Sequence, residues 1–151
     1  MKTLCDPREL MARQGVDPNP NRDLILKVIA SSSKAVTPKF ILTAARKTRS
    51  IDKVTLYRIL DLFVARRILR RMASVAGSLR YEIACAEHNP LHPHFVCREC
   101  GDMECLSDVD LSDVRERLNM KTKNLPEDID LKLEGVCQKC SPRKRRRHEE
   151  K

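Results

Sequence analysis

Tryptophan is absent from this 151-residue chain, and only two tyrosines, three phenylalanines and four glycines are present. So few aromatics exclude a large aromatic core, and together with the scarcity of glycine they favour helices packed through aliphatic side chains. No apolar run approaches the roughly 18 to 20 residues needed to span a bilayer, and "MKTLCDPREL" lacks the apolar stretch of a secretory signal. A cytoplasmic protein with no membrane partner is expected. No HExxH helix or comparable base signature occurs, which argues against a zinc hydrolase and against an enzyme generally. An even cysteine count is also missing. Seven cysteines cannot pair fully, and a reducing compartment disfavours structural disulfides, so metal ligation becomes the leading use for clustered thiols.

What is abundant is charge, and it is unevenly spread. Residues 1–81 hold 17 Lys and Arg against 6 Asp and Glu, whereas residues 82–142 hold 7 against 13 and the end from Arg143 holds 6 against 2. A basic half of this density points to a polyanion, most often nucleic acid. The length allows one ordinary domain or two small ones, each marginal without a bound ion or a dimer partner.

Helix starts are well marked in the basic half. In "NPNRDLILKVIASS", Asn19 caps, Pro20 takes the first turn, and Leu24, Ile25, Val28 and Ile29 form the apolar face. In "TPKFILTAARKT", Thr37 caps a short helix with Phe40, Ile41, Ala44 and Ala45 turned inward. "SIDKVTLYRILDLFVARRI" has Ser50 or Asp52 as cap. Its inner stripe is Leu56, Ile59, Leu60 and Phe63, leaving Lys53, Thr55, Tyr57 and Arg58 largely outward. Two strand-like runs, "ILRRMA" and "LRYEIA", follow around the turn "SVAGS". Three helices and a hairpin are the order of elements in a winged helix, the helix-turn-helix variant whose third helix enters the DNA major groove.

Beyond Glu82 a small α+β unit is expected. "HFVC" and "MECL" read as short strands and "VDLSDVRERLNM" as a helix with Val114 and Leu118 on its buried stripe. "DIDLKLEGV" alternates Ile129, Leu131 and Leu133 against polar residues, as a strand does. Residues 142–151 have no apolar anchor and read as a disordered basic tail.

Cys97 and Cys100 form one Cys-x-x-Cys, and Cys137 and Cys140 form another. Each spacing lets two thiolates from one tight turn reach the same ion, and two such turns complete a tetrahedral four-sulfur zinc site. Structural zinc contributes on the order of 10 kcal/mol in small zinc modules, which rivals the whole stability of a small domain.

Five stretches in this order, "NRDLILKVI", "VTLYRILDLFVARRILRRM", "RYE", "HPHFVCRECG" and "GVCQKC", make the chain resemble the ferric uptake regulator family of bacterial metal- and peroxide-responsive transcription factors. The resemblance runs from about residue 13 to residue 140. It implies a winged-helix DNA-binding domain over 1–82 and a dimerisation and metal-binding domain over 83–141. It also implies a homodimer acting, as a repressor in the leading reading, on a palindromic double-stranded DNA operator. It places Thr55, Tyr57 and Arg58 at the DNA, with Arg22 as a further phosphate contact. Whether Arg58 reads a guanine edge or holds a phosphate stays open.

The resemblance also implies a regulatory metal at the hinge between domains, with Glu82, His92, His94 and Cys105 as its ligands. Cys105 stands where the family usually has Asp or Glu, and imidazole with thiolate suits Zn2+, or a borderline ion such as Ni2+, better than a hard oxygen-seeking cation. Fe2+ and Mn2+ remain family alternatives. Cys85 and His88 are alternative ligands in the same loop, and Ala35 and Ile129 occupy positions where the family has histidines. The expected function is zinc-responsive regulation. An iron- or peroxide-responsive regulator of the same family, or a zinc-ribbon adaptor that binds protein instead of DNA, are the other readings.

Overall fold

The structure is a computed structural model that describes residues 5–73 and 77–141. The expected basic tail at 142–151 and the first three residues of the "SVAGS" turn lie outside the described residues. The chain forms two compact units: Met1–Met72 with Leu79–Pro90, and Ala73–Ser78 with Leu91–Lys151. Helices and small sheets together make it an α+β protein.

The first unit holds four helices, α1 (Pro7–Arg13), α2 (Pro20–Ala30), α3 (Pro38–Ala45) and α4 (Lys53–Ala65), followed by strands β1 (Leu69–Ala73) and β2 (Leu79–Ile83), which pair. Every helix start uses a side-chain cap. Asp6, Asn19, Thr37 and Asp52 each accept a hydrogen bond from a first-turn N–H, at 2.8, 2.8, 3.2 and 2.7 Å, and satisfy one of the donors that helix geometry leaves open. Asp52, not Ser50, therefore begins α4. α4 ends on a left-handed residue, Arg67 at φ 57, with Ile68 N–H bonding to the Phe63 carbonyl and Arg67 N–H to that of Val64. This closes the helix and turns the chain into β1.

Two readings of the sequence need correction here. α1 was not anticipated; its Leu10 and Met11 are buried although they are its only large apolar residues. On α3 the inward residues are Ile41, Leu42 and Ala45, while Phe40 is 52% exposed. The helix turns Leu42 inward and leaves Phe40, two residues and about 200° away, on the other side. The core is one aliphatic cluster built on Met11, Ile25, Leu26, Ile41, Leu56 and Leu60, with Phe63 and Tyr81 as its buried rings. Residues 83–90 pack with this unit, where Ile83 and Cys85 join the same cluster.

The second unit contains β3 (His94–Cys97), β4 (Met103–Cys105), α5 (Ser112–Lys121) and β5 (Lys132–Gly135), with strand order β4-β3-β5. β3 runs antiparallel to β4 and parallel to β5. The register sets Cys97 beside Gly135, so the turns that follow the two strands emerge side by side. Gly135 packs closely against Phe95: a Cβ there would lie 3.2 Å from the ring and would push it back by a few tenths of an ångström. The buried aliphatic content is small, chiefly Val96, Met103 and Leu111. Val114 and Leu118 are not a buried stripe, being 37% and 51% exposed, and α5 buries no residue at all. Leu131 and Leu133 are likewise exposed, and only Lys132–Gly135 of the alternating run pairs as a strand.

Candidate metal centres and nucleic-acid face

Cys97, Cys100, Cys137 and Cys140 converge, their sulfurs all within 4.8 Å of one another, with Cys100 and Cys137 at 3.8 Å. Tetrahedral zinc, with bonds of about 2.3 Å to sulfur, sets neighbouring sulfurs about 3.8 Å apart, so the donor set and its spacing both fit zinc. Each pair sits on a tight turn: Gly101 N–H bonds to the Cys97 carbonyl at 2.9 Å and Ser141 N–H to that of Cys137 at 3.0 Å. Gly101 adopts φ 74, a conformation glycine enters without strain. Backbone N–H groups of Cys100 and Cys137, with that of Glu99, hold the Cys97 thiol down to about 6. Hydrogen bonding to Cys137 pushes the Cys140 thiol up to about 12. The cluster thus favours a thiolate at its buried corner, the form that binds a cation.

His92, His94 and Cys105 make a second group in the same unit, with ligand atoms within 4.8 Å of one another. His94 lies opposite Cys105 in the β3–β4 register, and His92, two residues earlier, projects on the same face. Both histidines are almost fully buried, and their ring centroids are 4.6 Å apart. Two buried imidazoles and a thiol form a donor set for a borderline metal. Glu82 belongs to the first unit. It is buried on β2, and its carboxylate meets Arg70 Nε at 3.0 Å. Arg70 also donates to the Asn89 carbonyl at 2.7 Å. Ala35 is buried and supplies only its carbonyl, to Arg80.

A third group was not visible as a group in the sequence. Cys85 and His88 are joined by Cys5, whose sulfur lies 3.2 Å from His88 Nδ1, with Cys85 Sγ at 3.4 Å from the same atom. Cys5 gave no signal because its partners are some 80 residues away and it has no cysteine neighbour in sequence.

On the first unit, α3, a connecting turn and α4 form a helix-turn-helix, and the β1–β2 hairpin follows as its wing. Tyr57 and Arg58 are exposed on α4, Tyr57 by 44%, and Thr55 is half-buried in its first turn. Lys39, Arg46, Lys53 and Tyr57 border a groove between α3 and α4. This is a basic, partly aromatic surface suited to phosphate and base edges. Arg22 is differently placed: its guanidinium donates to the Asp17 carbonyl at 2.8 Å, which ties it to the chain before α2.

A winged helix followed by an α+β unit with a four-thiolate site defines a metalloregulator of the winged-helix class. The family profile described as "Ferric uptake regulator family" matches residues 13–134, and the chain belongs to that family of DNA-binding, metal-responsive transcriptional regulators, which are not enzymes. The ferric uptake regulation protein of Bacillus subtilis is 25% identical over 124 residues, covering 81% of this chain and 83% of its own. The solved structure of the Helicobacter pylori ferric uptake regulator is similar with a TM-score of 0.73 at 20% identity, over 93% of this chain and 97% of that one. The Campylobacter jejuni peroxide stress regulator gives a TM-score of 0.67 at 22% identity, over 88% and 95%. Among the described residues, no helix is long and apolar enough to cross a membrane.

Proposed function

We propose that the protein is a zinc-sensing transcriptional repressor that acts as a homodimer on a palindromic DNA operator. The single observation that carries the metal assignment is the grouping of His92 and His94 with Cys105 in place of an oxygen ligand. Thiolate and imidazole favour Zn2+ over Fe2+ or Mn2+, and over the iron chemistry that a peroxide response needs. Glu82 is assigned as the fourth ligand on the family resemblance. The four cysteines hold a separate, structural zinc ion.

Homodimerisation is supported by the apolar surface of the second unit. Val109, Val114, Leu118, Leu131 and Leu133 are exposed there, apolar area that a second copy would cover. Operator contact is assigned to Thr55, Tyr57 and Arg58 on α4, with Arg22 as a lesser phosphate contact. Whichever metal raises operator affinity must itself bind more tightly to the DNA complex, because the coupling is reciprocal.

The test is metal analysis of the wild type beside a His92→Ala, His94→Ala variant, followed by titration of a DNA duplex selected from random sequence in the presence of zinc, iron, manganese or nickel. The variant is expected to lose one ion per subunit, keep the structural ion, and bind the duplex without a metal response. A variant that responds like the wild type removes the sensing role from the histidines. A wild type that responds to iron or manganese but not to zinc overturns the choice of metal. Binding that does not weaken as salt rises favours a protein-binding adaptor over a DNA regulator.

A further inference from the structure

The turn at Cys85–Asn89 repeats, in the first unit, the local geometry of the two zinc-type turns. In each of the three, the residue four places after the leading cysteine returns its N–H to that cysteine's carbonyl. The pairs are Asn89 to Cys85 at 2.8 Å, Gly101 to Cys97 at 2.9 Å and Ser141 to Cys137 at 3.0 Å. The second potential ligand sits three residues after the first in all of them, as His88 at Cys85, Cys100 at Cys97 and Cys140 at Cys137. The correspondence extends to the sulfur. Burial works against the Cys85 thiolate, but the backbone N–H groups of Glu87 and His88 favour it, at the same offsets of two and three residues at which those of Glu99 and Cys100 favour the Cys97 thiolate. Such N–H groups stabilise a thiolate and aim its remaining lone pairs away from the turn.

What this turn faces is a third donor. Cys5 lies just before α1, buried, with its sulfur 3.2 Å from His88 Nδ1, while Cys85 Sγ is 3.4 Å from that same nitrogen. Tetrahedral zinc with bonds of about 2.3 Å to sulfur and about 2.0 Å to nitrogen sets a sulfur-to-nitrogen edge of about 3.5 Å. The observed edges need open by only a few tenths of an ångström. Beside the cluster is a cavity of about 280 Å³ bordered by Cys5, His88 and Asn89, with Ser32, Ser33 and Lys34 across it.

We propose that Cys5, Cys85 and His88 Nδ1 form a further metal site for a thiophilic divalent cation such as Zn2+, with its fourth position open to this cavity. Three protein ligands and an open position leave the ion exchangeable, unlike the closed four-cysteine site. Binding there fastens the segment before α1 to the loop after β2, so metal occupancy orders the N-terminal helix of the DNA-binding unit. The site is independent of His92 and His94, and it stands whether or not those histidines sense a metal.

The test uses the full chain, with zinc and then cobalt(II) as probes. Metal content is measured in the wild type, in Cys5→Ala and His88→Ala separately, and in each combined with His92→Ala, His94→Ala. Cys5→Ala and His88→Ala each remove one donor and keep the buried Cys85 itself; circular dichroism checks that each folds. Each is expected to hold one ion fewer than its parent, additively with the histidine pair, and to lose part of the sulfur-to-cobalt charge-transfer absorption. Zinc is expected to slow proteolysis within residues 5–13 in the wild type and to leave that rate unchanged in the variants. Metal content equal to the parent's in both folded variants overturns the proposal. So does a Cys5–Cys85 disulfide in the metal-free protein that persists under reducing conditions and blocks uptake.

Discussion

The two units solve the same problem, cohesion in a small chain, by different means. The first buries a continuous aliphatic cluster contributed by all four helices and both strands, with Phe63 and Tyr81 fully enclosed. Among its described residues the second buries only Val96, Met103 and Leu111 of the large aliphatics, leaves every residue of α5 unburied, and gathers five cysteines and two histidines into clusters instead. A unit whose apolar burial is this thin has little side-chain packing to offset chain entropy, which is where the proposed bound ions and second copy would contribute most.

The sharpest way to break that contrast is Cys97→Ser: with zinc at the four cysteines, as proposed, metal-linked free energy on the order of 10 kcal/mol is at stake in the second unit. Hydrogen exchange should show residues 94–105 and 132–135 losing protection while α2 and α4 keep theirs. Loss of protection in both together would show that the units are one cooperative body. Next in size is Phe63→Ala, which removes a fully buried ring from the first unit and should cost about 3–5 kcal/mol in urea unfolding while zinc content stays constant.

Leu133→Glu acts on the other side of the comparison. Leu133 is 45% exposed in the single chain, so the substitution should leave the subunit folded and shift sedimentation from dimer toward monomer. A smaller effect is expected from Asn19→Ala, which removes the α2 cap and should lower first-unit stability by about 1 kcal/mol.

The smallest is acid titration of Asp52. The Thr55 N–H bond to its side chain holds that carboxyl below its ordinary value of 3.8. Its contribution to the α4 start is therefore present above that value and fades as the pH falls through the lower folded one. A Asp52→Asn variant, which still caps but does not titrate there, should show a shallower loss of helicity in that range.

The same contrast explains what was legible in the sequence. Helices α2, α3 and α4 announced themselves because Asn19, Thr37 and Asp52 stand at their starts and the apolar spacing of α2 and α4 matches a helix that packs within its own chain. α1 escaped because two apolar residues, Leu10 and Met11, are too few to show a period. In the second unit, periodicity was a weaker guide to burial: Val114, Leu118, Leu131 and Leu133 are patterned, yet the described residues cover them only in part. Cysteine spacing found the four-sulfur cluster, since each pair is local. Cys5 could not be linked to Cys85 and His88 by any local rule, because only the packing of α1 brings it there.

Arg70 gives Glu82 a counter-charge inside its own unit. A carboxylate buried at the position of Glu82 would be costly without a counter-charge, by several kcal/mol. Arg70 supplies that charge from within the same unit, at 3.0 Å, and anchors itself on the carbonyls of Ile83 and Asn89. The winged helix therefore carries its own neutralised acid whether or not any cation is present.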